Sequence, residues 1–252
     1  MNPILRLDGI SKHFGGVTAA EDVTFSVMPS EVHGLIGPNG AGKSTLMNLI
    51  SGIYTPDSGS VFIDEVDVTR VPSYNRARMG LGRTFQTPRF LQRSSIRDNL
   101  LLGTDLGDQL GYIKSYLGFK GSDFQHELDE LMELAGFTFQ WDDDISALPY
   151  GQRKLLEIIR SMLAHPRIML VDEPAAGLNN KEIENAMALL NLAAKQRGIG
   201  VLLIEHSMDM IMNICQHIVV LCFGKVIANG VPAEIASNQE VIEAYLGRNL
   251  DD

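Results

Sequence analysis

Short, almost wholly apolar runs set the frame of this chain. Val32-His33-Gly34-Leu35-Ile36, Ile168-Met169-Leu170-Val171 and Val201-Leu202-Leu203-Ile204 leave hardly a polar position among them. Runs of this kind mark strands buried on both faces, the habit of parallel sheets covered by helices. His217 to Phe223 and Val226 to Ala228 read as two further strands around a Gly224-Lys225 turn. Ile4 to Ile10 and Val23 to Val27 have strand spacing, with Phe14-Gly15-Gly16 as a turn between them. After the dense turn signal Tyr54 to Ser60, Val61-Phe62-Ile63 and Val66-Asp67-Val68 predict a short hairpin, and Leu81 to Gln86 predicts another strand.

Helical spacing fills the intervals. Ser44 to Ile50, a Pro-initiated stretch from Pro72 to Met79, Ile96 to Leu102, Phe124 to Leu134, Asn180 to Arg197 and Ser207 to Ile214 are predicted helices, followed by Pro232 to Ala236 and Gln239 to Leu246. Gly198 stops the helix that begins at Asn180. Strands alternating with helices predict an α/β fold with a largely parallel sheet. From Thr87 to about Ala164 the texture turns mostly helical, interrupted by the poorly patterned Gly103 to Gly121 and by the acidic turn Asp142-Asp143-Asp144. That stretch reads as a lobe inserted into the α/β core.

Bulk composition narrows the class only a little. The 252 residues allow one large domain, and an apolar fraction of 45% with 21% charged residues is ordinary for a globular chain. A net charge of −10 argues against a nucleic acid held by bulk charge. Cys215 and Cys222 lack His or Cys neighbours, so they are expected to be free thiols. No signal peptide opens the sequence and no run reaches the length of a membrane span, so the chain is expected to be cytoplasmic.

Chemistry enters at Gly37-Pro38-Asn39-Gly40-Ala41-Gly42-Lys43-Ser44-Thr45, which fits G-x-x-x-x-G-K-[ST]. The strand before it and the helix after it are the context that motif needs. Its glycines allow successive N–H groups to face an anion, and the helix start adds unpaired donors and a positive dipole end. Lys43 would reach the β/γ-phosphates and the Ser44 hydroxyl would ligate Mg²⁺. The second signal is Asp172-Glu173-Pro174 after the Ile168 strand, two carboxylates at the carboxyl edge of a parallel sheet. Asp172 is placed for the Mg²⁺ shell and Glu173 to accept a proton from an attacking water. The third is Leu148-Pro149-Tyr150-Gly151-Gln152, a turn opening a helix and hence a second candidate anion site.

With these motifs in order, the chain resembles the ATP-binding cassette (ABC) ATPases of membrane transporters over nearly its whole length. The resemblance implies a P-loop NTPase core (1–86 and 165–252) with an antiparallel β subdomain at its N-terminal side, and a helical subdomain at 87–164. It also implies that Leu148 to Gln152 stands at the Leu-Ser-Gly-Gly-Gln signature, which meets ATP held by a partner subunit. Phe14 matches the aromatic that stacks on adenine. Gln86 matches the glutamine that touches Mg²⁺ and water, His206 the switch histidine at the γ-phosphate, and Gly177-Leu178-Asn179 the loop that crosses the dimer interface. The other five histidines match no motif. Three positions depart from the pattern: Pro149 stands for Ser, Tyr150 for the first signature Gly, and Asn179 for Asp.

Tyr150, the Gly177-Leu178-Asn179 loop, Gly-Arg-Thr-Phe-Gln at 82–86 and a Val-Ile-Glu-Ala-Tyr-Leu-Gly ending look like the branched-chain amino acid importer ATPases, which carry extra sequence where Gly103 to Gly121 lies. The implied assembly has ATP and Mg²⁺ as cofactors, integral-membrane permease subunits, a second ABC ATPase (the same chain or a related one), and an external substrate-binding protein acting indirectly. It would sit peripherally on the cytoplasmic side of the inner membrane. A cassette serving urea, amides, another amino acid or envelope lipid, one acting on DNA or ribosomes, and an ATP-binding regulatory subunit are the competing readings.

Overall fold

In the computed structural model, which describes residues 2–102 and 122–246, the predicted parallel frame is a six-stranded sheet. In chain order the strands are β1 (Leu5–Phe14), β2 (Val17–Val27), β3 (Val32–Ile36), β4 (Ser58–Ile63), β5 (Val66–Asp67), β6 (Leu81–Arg83), β7 (Ile168–Asp172), β8 (Gly200–Ile204), β9 (His217–Cys222) and β10 (Lys225–Gly230). The large sheet runs β10-β9-β3-β8-β7-β6. The five strands from β9 to β6 are parallel, and only the β9–β10 hairpin is antiparallel. A second, antiparallel sheet orders β2-β1-β4-β5.

The apolar runs behave as their composition requires. Every residue of β3, β7 and β8 is buried, and successive side chains point to opposite faces. Val32, Ile36, Met169, Val171, Val201 and Leu203 join the core beneath the helical part of the chain. Leu35, Ile168, Leu170, Leu202 and Ile204 join the core shared with the antiparallel sheet. The central sheet is therefore the common wall of two apolar layers.

Nine α-helices occur among the described residues: α1 (Lys43–Ile50), α2 (Ser73–Arg78), α3 (Ile96–Leu101), α4 (Ser122–Ala135), α5 (Tyr150–Leu163), α6 (Asn180–Lys195), α7 (Met208–Ile214), α8 (Pro232–Ala236) and α9 (Gln239–Leu246). Several limits differ from the sequence pattern for local reasons. The first strand continues to Phe14, and Gly15-Gly16 closes a two-residue hairpin with Phe14 opposite Val17. The Leu81 strand stops at Arg83, three residues before Gln86. Pro72 is the residue before α2 and not its first member, and Ser207 caps α7, its hydroxyl accepting from the Met210 amide. The acidic turn does more than meet solvent: Asp144 accepts from the Ser146 amide, and its backbone bridges to Ser95. Gly103 to Gly121 and Gly247 lie outside the described residues.

At the amino ends of β3 and β9 sits a polar cluster of buried Glu31 and His33 with exposed His217. Glu31 Oε1 lies 2.7 Å from His217 Nδ1 and 3.2 Å from His33 Nδ1, and the two imidazoles stack. Both cysteines are free: Cys215 is buried against Gly34, and Cys222 is half-buried. Burial, with Glu31 nearby, pushes the Cys215 thiol up to about 12.

Candidate ATP site at the carboxyl edge of the sheet

Four adjacent strands deliver the site. Across the sheet in the order β3, β8, β7, β6, their carboxyl ends lead into Gly37–Thr45, His206, Glu173 and Gln86 respectively. Parallel register lines these ends up, with Leu35 opposite Ile204 and Asp172 opposite Ile204. Residues far apart in the chain are therefore neighbours along one edge, where open α/β sheets bind ligands.

The phosphate loop needs glycine where the backbone is tightest. Gly37 has φ 151° and Gly42 φ 106°, and a Cβ on either would collide with a carbonyl oxygen, that of Leu221 or Ala19. Lys43 is buried and its ammonium donates to the Gly37 and Pro38 carbonyls at 2.7 and 3.1 Å, closing the loop on itself. Burial lowers the Lys43 pKa, while the charges of Glu173 and Asp172 oppose that shift. No side chain caps α1, so its first amides remain available to an anion, and Asn39 and Gly40 lie on the exposed rim.

Glu173 is held in an uncommon conformation, φ 47°. Its amide donates to the Ile204 carbonyl at 2.9 Å. Gln86 Nε2 donates to Glu173 Oε2 at 2.7 Å, and His206 Nε2 lies 2.9 Å from Oε1. Three residues singled out separately in the sequence thus meet at one carboxylate. Asp172 is buried, its amide donates to Thr84 Oγ1 at 3.3 Å, and the Arg83 guanidinium stands 4.0 Å from its carboxylate. Burial pushes the Asp172 pKa up, and Arg83 is the main opposing charge.

The signature turn and interface loop lie beside these groups. Pro149 precedes α5 without a side-chain cap, since the ring carries no hydroxyl. Tyr150 Oη donates to the Gln86 carbonyl at 3.3 Å, and its ring lies against Gly177, where a Cβ would come within 3.0 Å of Cε1. Gly151 is buried, and a Cβ there would run into the Glu182 carboxylate. Asn179 caps α6: its side chain accepts from the Glu182 amide at 3.0 Å, and Glu182 returns a bond to the Asn179 amide at 2.9 Å. The change from Asp to Asn at this position therefore keeps the cap. Leu148 is buried in the helical layer, Gln152 is half-buried, and Leu178 closes a turn on the Ala175 carbonyl.

Phe14 stands apart, 43% exposed at the tip of the β1–β2 hairpin. The Tyr54 ring meets it edge-on at 5.3 Å, and the Lys12 ammonium lies 5.5 Å from its centre.

Four buried groups escape the sequence reading. Glu205 accepts from the amides of Ala175, His206 and Ser207 and so fixes the turn that presents His206. Thr84 and Lys154 secure the backbone on either side of Glu173. Glu157 accepts from the Phe85 and Arg89 amides. Only a charged residue at an apolar-face position of α5 gave any signal of the last.

The residues present fit Mg²⁺ bound with a nucleotide. Asp172 ends β7 and Ser44 follows β3 at the same edge of the sheet, and no group of three His, Cys, Asp or Glu among the described residues is placed to enclose a metal alone. Mg²⁺ ordinarily takes one or two protein ligands and completes its shell with phosphate oxygens and water.

Comparison with known proteins shows the family. Residues 20–176 match the sequence model described as ABC transporter, and residues 225–250 match that of the branched-chain amino acid ATP-binding cassette transporter. The high-affinity branched-chain amino acid transport ATP-binding protein BraF of Pseudomonas aeruginosa is 37% identical over 97% of this chain and 98% of its own length. The protein LivG of Escherichia coli K12, carrying the same description, is 36% identical over the same shares. Among solved structures, the ADP conformation of MJ1267, an ATP-binding cassette of an ABC transporter, superposes with a TM-score of 0.81 and 31% identity, covering 98% of this chain and all of that one. The chain belongs to the ABC transporter family, within its branched-chain amino acid transport ATP-binding proteins.

Proposed function

We propose that this chain binds and hydrolyses ATP to drive uptake of branched-chain amino acids through partner permease subunits. The observation that carries the catalytic half is the Glu173 carboxylate held between Gln86 and His206, one strand away from the phosphate loop's own β8 neighbour. The transport half rests on likeness to BraF and LivG over almost the full chain.

In this reading Phe14 stacks on the adenine, and the amides of Gly37 to Thr45 with the Lys43 ammonium hold the β- and γ-phosphates. Mg²⁺, held by Ser44, Gln86 and Asp172, would neutralise charge on the phosphate oxygens. Glu173 orients water in line with the γ-phosphorus and takes its proton, while His206 steadies the γ-phosphate. Gln86 and His206 must yield one of their bonds to Glu173 when water enters between them.

Two copies, or this chain and a related one, pair head to tail. Tyr150, Gly151 and Gln152 of one meet the ATP of the other, with Gly177-Leu178-Asn179 crossing between them. Loss of the γ-phosphate removes that contact and reopens the pair. Residues 87–164 act as the helical lobe that passes the movement to the permeases at the cytoplasmic face, and an external binding protein supplies the amino acid.

Glu173→Gln is the test. Loss of a general base costs about 10²–10⁴-fold in turnover, so this variant should bind ATP, form a stable dimer and hydrolyse almost none. Turnover near that of the wild type would remove Glu173 from the mechanism.

A further inference from the structure

Lys154 has no part in the proposed reaction, yet it is a buried cation beside the site. It lies one turn into α5, 3% exposed, and its ammonium donates to the backbone carbonyl of Glu173. Burial lowers its pKa, against the attraction of Glu205, Glu157, Glu173 and Asp172 in that order. A buried ammonium is costly unless its donors and charge are well used. Here they are aimed at a residue whose backbone is left-handed without being glycine. The Glu173 amide is tied to Ile204 and its carbonyl to Lys154 and Ala176, so the direction in which the carboxylate leaves the chain is fixed from both ends.

The same helix face makes two further contacts. Tyr150, Lys154 and Glu157 follow one another at i, i+4 and i+7, which places them in a row on one side of a helix. Tyr150 donates to the Gln86 carbonyl, and Glu157 accepts from the Phe85 and Arg89 amides. One face of α5 therefore holds both the segment that carries Gln86 and the turn that carries Glu173. The amino end of this helix is the Pro149-Tyr150-Gly151 turn itself.

We propose that Lys154 is a positioning residue for Glu173, fixing the carboxylate that orients water and tying it to the signature turn of the same chain. The proposal rests on the reading of Glu173 as that carboxylate. A shift of the turn would be felt at Glu173 through a single helical turn and one ammonium–carbonyl bond.

The experiment compares kcat and KM for ATP in the full-length chain carrying Lys154→Met, Lys154→Arg, Glu173→Gln, or Lys154→Met with Glu173→Gln. Misplacement of a reacting group by about an ångström costs up to about 10²-fold. Lys154→Met should therefore lose about 10- to 100-fold in kcat with KM within about threefold. Lys154→Arg, which keeps a cationic donor, should recover most of the loss. The double variant should be no slower than Glu173→Gln alone, since groups acting as a unit are not additive.

Wild-type kcat in Lys154→Met, or a double variant slower than Glu173→Gln by the full Lys154 factor, overturns the positioning role. A rise in KM matching the fall in kcat/KM overturns it as well. Turnover near wild type in Glu173→Gln would instead defeat the reading of Glu173, whatever Lys154 does. If Lys154→Met fails to fold, Lys154→Gln decides the point: lowered kcat with ATP binding retained supports the role, and wild-type kcat ends it.

Discussion

At the residue scale, Phe14 tests whether an exposed aromatic is part of the site. It contributes nothing to either core, and its contacts are the edge of Tyr54 and the Lys12 ammonium. Stacking of a base on an aromatic is worth about 1–3 kcal/mol. Phe14→Ala should therefore weaken ATP binding about tenfold or more by titration calorimetry, with turnover at saturating ATP largely kept. Unchanged affinity would leave Phe14 a surface residue. Such residues can be placed from sequence where a short motif fixes the neighbours. Gly37 to Thr45 and Asp172-Glu173 sit beside apolar runs that could be little else than buried strands. Glu205 and Lys154 are illegible because the contacts that tie them to the Glu173 turn are backbone groups 30 and 19 residues away, and no local pattern announces a tertiary hydrogen bond.

At the scale of elements, α6 shows how a departure from the family pattern is absorbed. Asn179 and Glu182 close a reciprocal cap, and Glu182 also fills the space beside Gly151. Removing a capping side chain costs about 1 kcal/mol. Asn179→Ala should lower the thermal midpoint by about 2–4 °C in a chain of this size, whereas Asn179→Asp should leave it nearly unchanged. A loss in both would mean that Asn179 acts through something other than the cap. The pattern of elements was largely legible: α6, α7, α8 and α9 fall within two residues of their expected ends. The chief miss was β2, expected from Val23 and observed from Val17. Its first half is partly exposed, and register shifts along β1 break the alternation there.

Across the whole molecule, stability against acid should depend on the cluster at the far end of the sheet from the nucleotide. Burial raises the Glu31 pKa, but His33 and then His217 outweigh it, and the net value lies below the ordinary 4.5. A carboxylate with a depressed folded value stabilises the fold at pH above its unfolded value and loses that contribution as pH falls through the folded one. Glu31→Gln should cost about 1–3 kcal/mol at pH 7, measured by urea unfolding, as expected for hydrogen bonds to a charged group. The gap from the wild type should narrow below pH 4.5 and close once Glu31 is protonated in both states. A gap that persists unchanged into acid would assign the stability to packing alone.

The two thiols differ in a way that gives the native chain a built-in labelling site. Cys215 is sealed against Gly34 with its pKa pushed up to about 12, which keeps the nucleophilic thiolate scarce at neutral pH. Cys222 is half-buried and follows Leu221, whose carbonyl oxygen is what excludes a side chain at Gly37. A fluorophore attached through gentle thiol chemistry would settle on Cys222 alone, one residue from the floor of the phosphate loop. Nucleotide arrival and departure could then be followed in real time on the unmutated protein.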